Sequence, residues 1–444
     1  MVKEMKRRRK RMNVGFVSLG CSKNLVDTEM CIGLFQKNNF TIVNKPKEAD
    51  IIVVNTCGFI ESAKQEAINT ILEMAEYKKQ NCQYLIVMGC LVQRYKEKLE
   101  KELPEVDLFL KIDDYQNIWK KINALLQSKQ HNCENLQYFN RVISTGKTTA
   151  YLKIAEGCSN YCTYCAIPYI RGNYISRPWE EIIEEAKELV SKGIKELIII
   201  AQDTTKYGVD LYGKSRLAEL LDSISQIEGI KWVRFLYAYP ESITDELIET
   251  VKKSSKICHY FDIPIQHISN IILKRMNRKT SQEDITKLIK KIKKEIPDAI
   301  IRTSLIVGFP GETNQDFIEL AQFVQKTKFD KLGVFMYSKE DGTPAEKLPN
   351  QVHTNTKKAR YKKIMEIQQQ ISKQNLKNKI GNTYMTLIEG LTKNKKYYIG
   401  RTYADVPDMD GVVLIKNSKK LHLGEFVNCK ITDIAEYDLI GEIN

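Results

Sequence analysis

The chain has 444 residues, 43% hydrophobic and 28% charged, an ordinary balance for a globular protein of two to four domains. No apolar stretch reaches membrane-span length, and the net charge of +14 is gathered in patches rather than spread evenly. From Met1 to Arg11 seven bases face only Glu4, and Val17-Ser18-Leu19-Gly20-Cys21 follows soon after. The pattern faintly suggests a signal segment. Residues 14–19, however, are too short for an apolar h-region and are broken by Gly15 and Ser18, so we read a basic tail (1–12) and a cytoplasmic protein.

Residues 13–130 alternate apolar runs with helical patterns. The runs 13–19, 50–54 and 84–88 read as buried strands, and 61–78 as one of the amphipathic helices between them. That rhythm predicts a parallel α/β sheet. Cys21, Cys57 and Cys90 each follow the end of such a strand, where open α/β sheets bind ligands, so cysteines far apart in sequence would meet in space. The plainer reading makes them three buried apolar residues.

Residues 131–149 are polar and patternless, and we read them as a linker. The central segment, 150–375, carries six strand candidates (150–155, 196–201, 232–237, 260–265, 300–307 and 331–336), with helical patterns such as 179–191 and 282–295 between them. This predicts a TIM-like (β/α) barrel, closed or partial. The unusual motifs all follow strand ends, the face on which such barrels carry their chemistry. Cys158, Cys162 and Cys165 lie there on one short loop with Cys-x3-Cys-x2-Cys spacing. A cubane iron–sulfur cluster normally takes four thiolates, so three leave one iron open. Zinc is the alternative, but it usually asks for a fourth Cys or His, and no His lies near.

Around that loop, Tyr164 is placed to stack on an adenine, and Gln202, Gly308 and Glu312 are candidate cofactor contacts by position alone. Glycine lets the backbone approach a ligand, although a strand-ending turn explains Gly308 equally well. His267 reads as a structural histidine rather than an acid–base group. Cys31, Cys82, Cys133, Cys258 and Cys429 have no partner spacing and read as packing residues or plain thiols. The stretch 268–296 holds nine bases against three acids, which suits either RNA contact or a solvated helix face.

A helical pattern over 355–378 leads into 376–444, whose short β runs (384–388, 397–399, 411–415, 426–431) predict a small antiparallel, OB-like barrel. That segment has ten bases and nine acids, with Asp405, Asp408 and Asp410 close together. Near-neutrality suits docking a basic protein better than gripping phosphates.

Together these motifs resemble the radical S-adenosylmethionine (SAM) superfamily and, within it, the methylthiotransferases. The resemblance implies an N-terminal methylthiotransferase domain, a radical SAM core and a C-terminal TRAM domain. Within the family the chain is most similar to the branch that modifies a ribosomal protein. The similar stretches are Ser18-Leu19-Gly20-Cys21-Ser22-Lys23-Asn24, Gln202-Asp203-Thr204-Thr205, Tyr237-Ala238-Tyr239-Pro240, Ile263-Pro264-Ile265-Gln266-His267, Phe335-Met336-Tyr337-Ser338 and Asp405-Val406-Pro407-Asp408-Met409-Asp410-Gly411.

The resemblance further implies a 4Fe-4S cluster on Cys158, Cys162 and Cys165 that chelates SAM, and an auxiliary 4Fe-4S cluster on Cys21, Cys57 and Cys90 that carries sulfur. The implied reaction is β-methylthiolation of one aspartate of ribosomal protein uS12, using two SAM per turnover, with the difficult chemistry on the cofactors and no acid–base residue assigned. The implied partners are an electron donor such as flavodoxin or ferredoxin and a sulfur source, with the chain acting as a monomer. The alternatives are the same chemistry on a tRNA adenosine, or a non-catalytic metal-binding RNA or ribosome adaptor.

Overall fold

The computed structural model describes residues 11–126, 136–139, 141–416 and 419–443. The basic tail up to residue 10 and Cys133 lie outside the described residues. The chain divides into two compact units: residues 1–144 with 169–171, and residues 145–168 with 172–444.

Unit 1 holds a parallel sheet of β1 (Asn13–Ser18), β2 (Thr41–Val43), β3 (Ile51–Thr56), β4 (Tyr84–Gly89) and β5 (Leu108–Leu110), in the order β2-β1-β3-β4-β5. The three central strands are the apolar runs read from sequence. The two edge strands, three residues each, are too short to leave a pattern. Central strands of a parallel sheet are covered on both faces, so their residues alternate between two cores. Ile52 and Val54 pack with Ala67 and Ile71. Ile51 and Val53 pack with Leu34, Phe35 and Trp119. Phe35 and Trp119 meet edge to face at 5.5 Å. Helices α1 (Ser22–Lys37), α2 (Glu61–Ala75), α3 (Cys90–Glu102) and α4 (Ile118–Leu126) supply the cover.

Unit 2 begins with β6 (Thr149–Lys153) and a short antiparallel pair, β7 (Ala155–Glu156) with β8 (Ile175–Ser176). β9 (Glu196–Ile200), β10 (Trp232–Phe235), β11 (Tyr260–Asp262), β12 (Ile300–Val307) and β13 (Lys331–Met336) follow. They form two parallel three-stranded sheets, β10-β9-β6 and β11-β12-β13. The barrel is therefore partial: among the described residues the only strands that close on themselves are at the C-terminus. The intervening helices start where the sequence says they should. Ser281 and Asp284 form a reciprocal cap on Gln282–Glu295, as do Thr313 and Asp316 on Asn314–Thr327.

A helix, Thr354–Lys377, leads to the closed barrel of β14 (Thr383–Leu391), β15 (Tyr397–Thr402), β16 (Val413–Lys416), β17 (Phe426–Ile434) and β18 (Leu439–Glu442), ordered β14-β15-β16-β18-β17. The antiparallel expectation needs one correction. The last strand, unmarked in the sequence reading, slots between β16 and β17 and runs parallel to β16.

This small barrel packs beneath the partial barrel, at the N-terminal ends of its strands. Arg401 on β15 pairs with Glu196 (2.5 Å) and Glu389 (2.6 Å), and Glu196 also takes Arg234 (3.1 Å). Trp232 meets Phe426 edge-on at 4.8 Å. The acidic run suggested as a docking surface is largely consumed by the same contact. Asp405 is buried and paired with Lys331 at 2.8 Å, and Asp410 accepts the Tyr260 hydroxyl at 2.7 Å, leaving Asp408 exposed.

Candidate active site

In unit 1, Cys21, Cys57 and Cys90 follow β1, β3 and β4 and are brought together at their C-terminal ends. Two glycines permit the approach. A Cβ on Gly20 (φ +87°) would lie 2.7 Å from the Cys57 Cβ, and one on Gly89 (φ +103°) would lie 2.2 Å from Asn55 Oδ1. Asn24, fully buried on the first turn of α1, ties the three ends together. Its amide donates to the carbonyls of Leu19 (3.1 Å) and Thr56 (3.0 Å), and its Oδ1 faces Cys90 Sγ at 3.5 Å.

The buried Arg171 guanidinium donates to Asn24 Oδ1 (2.7 Å) and Asp27 (2.9 Å). Burial pushes the Cys90 thiol up to about 11, against the pull of Arg171. Burial also raises Cys57, with Cys21 adding to the rise and Arg171 opposing it. Cys90 thus feels both other thiols and one buried cation.

In unit 2 the three thiols share a loop that has little secondary structure of its own, so neighbouring elements hold it. Gly157 (φ +73°) brings the backbone so close to Asn173 O that a Cβ would sit 2.1 Å away, and Cys158 N donates to Gly172 O. Asn160 donates to the buried Asp203 carboxylate (2.8 Å) beyond β9 and also takes the Lys206 ammonium. Asn277 donates to the Tyr161 carbonyl at 2.9 Å. Thr163 donates to Arg275 O and Met276 O, and its own carbonyl accepts from Ala345 N.

Burial raises the Cys158 thiol to about 11 and also raises Cys165, with Cys162 the next largest cause in the latter case. Cys162 lies 3.9 Å from the Tyr239 hydroxyl and 3.9 Å from Arg278 Nη1.

All six thiols are free of disulfides. Among the described residues no three His, Cys, Asp or Glu side chains close on a single metal ion. Each triad instead offers three soft donors, buried or half-buried except for the exposed Cys21, with a guanidinium nearby. That donor set fits an iron–sulfur cluster with one open iron better than it fits zinc.

The other residues singled out by sequence are placed as follows. Tyr164 is on the cysteine loop against Met276, Phe309 and Tyr337, and burial holds its hydroxyl well above the usual range, with Cys162 adding to the effect. Gln202 lies two residues beyond β9, donates to Glu156 at 3.0 Å and keeps a buried Oε1 with no partner. Gly308 (φ +73°) opens the turn after β12, where Glu312 turns inward. It accepts from the Gly308 and Phe309 amides and lies 3.4 Å from Arg360. His267 is fully buried and accepts from Ser269 N at 3.0 Å.

The basic stretch 268–296 is not one patch. Arg278 is buried, Lys291 pairs with Asp245 and Lys293 donates to Thr327 O, whereas Lys274, Lys287, Lys290 and Lys294 are exposed. Sequence reasoning missed Asn24, Asn160, Asp203, Arg171 and Arg278 as site residues. The signal lay in the motif runs that contain Asn24, Asn160 and Asp203.

Comparison with known proteins agrees with this layout. Residues 152–324 match the radical SAM superfamily, 13–111 an uncharacterized protein family, UPF0004, and 380–443 the TRAM domain. Over 433 residues the chain is 64% identical to the ribosomal protein uS12 methylthiotransferase RimO of Alkaliphilus oremlandii, covering 97% of this chain and 99% of that one. It is 52% identical to the protein of the same name from Clostridioides difficile, covering 97% and 99%. Among solved structures, the radical SAM methyltransferase TsrM from Kitasatospora setae matches with a TM-score of 0.57 at 11% identity, over 76% of this chain and 74% of that one. At that identity the likeness concerns the fold alone.

Proposed function

The chain belongs to the ribosomal protein uS12 methylthiotransferase family, and on that premise we propose that it transfers a methylthio group to the β-carbon of one aspartate of uS12. The observation that carries this is near-full-length identity of 64% in a chain that also presents both thiol triads. The cofactors are two 4Fe-4S clusters and SAM. We assign Cys158, Cys162 and Cys165 to the SAM-binding cluster and Cys21, Cys57 and Cys90 to the auxiliary one, with Tyr164, Gln202, Gly308 and Glu312 as the SAM-side residues. When bound, these groups supply one-electron cleavage of SAM, hydrogen removal from an unactivated C–H bond, and sulfur for transfer.

The chain's own residues do the positioning. Asn24 holds the three strand ends of unit 1 in register. Asp203, Asn277 and Ala345 hold the loop of unit 2. Burial of Cys90, Cys158 and Cys162 keeps water from their sulfurs. Gln202 Oε1, buried and unpartnered at a strand end, is the acceptor best placed for a ligand N–H or O–H. The reading includes a low-potential donor of the flavodoxin or ferredoxin class, a sulfur source, a monomeric chain and a cytoplasmic setting. Among the described residues no helix is long and apolar enough to cross a membrane.

The test is mass spectrometry of uS12 from a strain lacking this gene. Loss of the methylthio group, restored by the wild-type gene, is expected. An unchanged uS12 with a methylthio group missing from tRNA would transfer the activity to the RNA alternative. Anaerobically purified chain without iron and sulfide would favour the adaptor.

A further inference from the structure

We propose that Arg278 is a positioning residue of the unit 2 centre, its guanidinium seated against Cys162 to offset the negative charge of the bound cluster and raise its reduction potential. The inference rests on the assignment of Cys158, Cys162 and Cys165 as cluster ligands.

The observations are geometric. The Arg278 side chain is buried, and its Nη1 lies 3.9 Å from Cys162 Sγ. It is held from three other sides: Nη2 donates to Pro264 O at 3.0 Å, the guanidinium carbon stands 4.3 Å from the Tyr239 ring centroid, and Glu241 lies 3.7 Å away with a one-fifth exposed side chain. Its Nε is buried without a hydrogen-bond partner. A second cation on this side, Lys206, is half-buried and engaged with Asn160. A fixed cation in a dry site is expensive unless a negative charge answers it, and Glu241 at 3.7 Å and partly in solvent answers it only in part. A cluster held by three thiolates supplies the remainder. Adding one electron makes that cluster more negative, so a guanidinium at this distance favours the reduced form more than the oxidised one. The step is a one-electron transfer from the low-potential donor. No bond on the chain is made or broken.

The experiment is an anaerobic redox titration of the full-length holoenzyme followed by electron paramagnetic resonance. The unit 2 cluster is identified by the change in its signal when SAM is added. Wild type without iron would sink the ligand assignment itself and leave nothing for Arg278 to tune. With iron present, Arg278→Gln is expected to lower the ratio of reduced to oxidised cluster at least tenfold at a fixed ambient potential, a shift of about 59 mV for one electron. Arg278→Lys, which keeps the charge, should stay within about threefold of wild type. If Arg278→Gln loses its iron while Arg278→Lys keeps it, the charge holds the cluster in place rather than setting its potential, and the proposal falls. If both lose iron, the fork is a packing element and the proposal falls. It also falls if Arg278→Gln keeps wild-type iron and potential, including the case in which it only weakens SAM binding.

Discussion

The two thiol triads reach similar surroundings by opposite routes. In unit 1 the sheet does the work: three parallel strands end side by side, each delivers one cysteine, and a single side chain, Asn24, ties the ends. In unit 2 one loop carries all three cysteines, and the scaffold must reach in to hold it through Asp203, Asn277, Arg275 and Ala345. The first triad is scattered in sequence and fixed by backbone pairing. The second is compact in sequence and fixed by side chains far along the chain. Both end beside a buried arginine, Arg171 or Arg278, as a polyanionic guest requires. A motif that looks self-sufficient in sequence can therefore be the more dependent one in the fold.

The sharpest way to break the comparison is to remove each triad in turn. Cys162→Ala should abolish both SAM cleavage and methylthiolation. Cys21, Cys57 and Cys90 changed together to Ala should abolish methylthiolation but leave SAM cleavage to methionine by the unit 2 triad. Chromatography of the SAM products, with mass spectrometry of uS12 in parallel, separates the two. If the triple variant no longer cleaves SAM while keeping iron at unit 2, the division of labour between the triads is wrong.

The next effect lies away from both triads. Arg401→Met leaves Glu196, fully buried, with Arg234 as its remaining cation beside the Thr149 hydroxyl, and breaking such a network costs about 3–5 kcal/mol. A lower urea midpoint for unit 2 is expected, with normal iron loading at unit 1. An unchanged midpoint would mean the packing of the small barrel beneath the partial one contributes little.

The supports of the triads come third. Asp203→Asn and Asn277→Ala should each cut iron affinity at unit 2 about 10–100-fold, the range for residues that orient metal ligands, and leave unit 1 loaded. Asn24→Ala should do the reverse. Iron counts on purified variants check this. Equal losses at both centres for either set would contradict separate supports.

Much of this was legible in the sequence. The central strands of unit 1 announced themselves because burial on both faces makes them continuously apolar. The cysteines could be placed because each directly follows such a run. The edge strands β2 and β5 could not, since three residues carry no periodicity. Neither could β18, whose four residues include Gly441 and whose parallel pairing with β16 depends on distant chain. The clamps on the cysteine loop were visible as motifs but not as contacts, because Asn160 and Asp203, or Tyr161 and Asn277, meet only through tertiary structure. The acidic run 405–410 misled for the same reason: charge in sequence says nothing about whether a lysine such as Lys331 waits across an interface.

That last pair gives the smallest prediction, and its sign can be worked out. Burial alone would raise the Asp405 carboxyl, but Lys331 and Lys379 outweigh it and hold the value at about 2, below the ordinary 3.8. A carboxylate lowered on folding adds stability that is fully present above its unfolded value and fades as the pH falls through the folded one. The difference is worth about 2 kcal/mol, present above about pH 4 and lost progressively toward pH 2. Asp405→Asn cannot titrate and also strands the lysines, so it should be less stable than wild type at neutral pH. The gap should narrow only below about pH 4. Unit 2 unfolding followed from neutral to acid pH in both proteins checks this. A gap that stays constant to pH 3 would mean the Lys331 contact stabilises by shape rather than by charge. A gap that closes earlier, near neutrality, would point to a different titrating group.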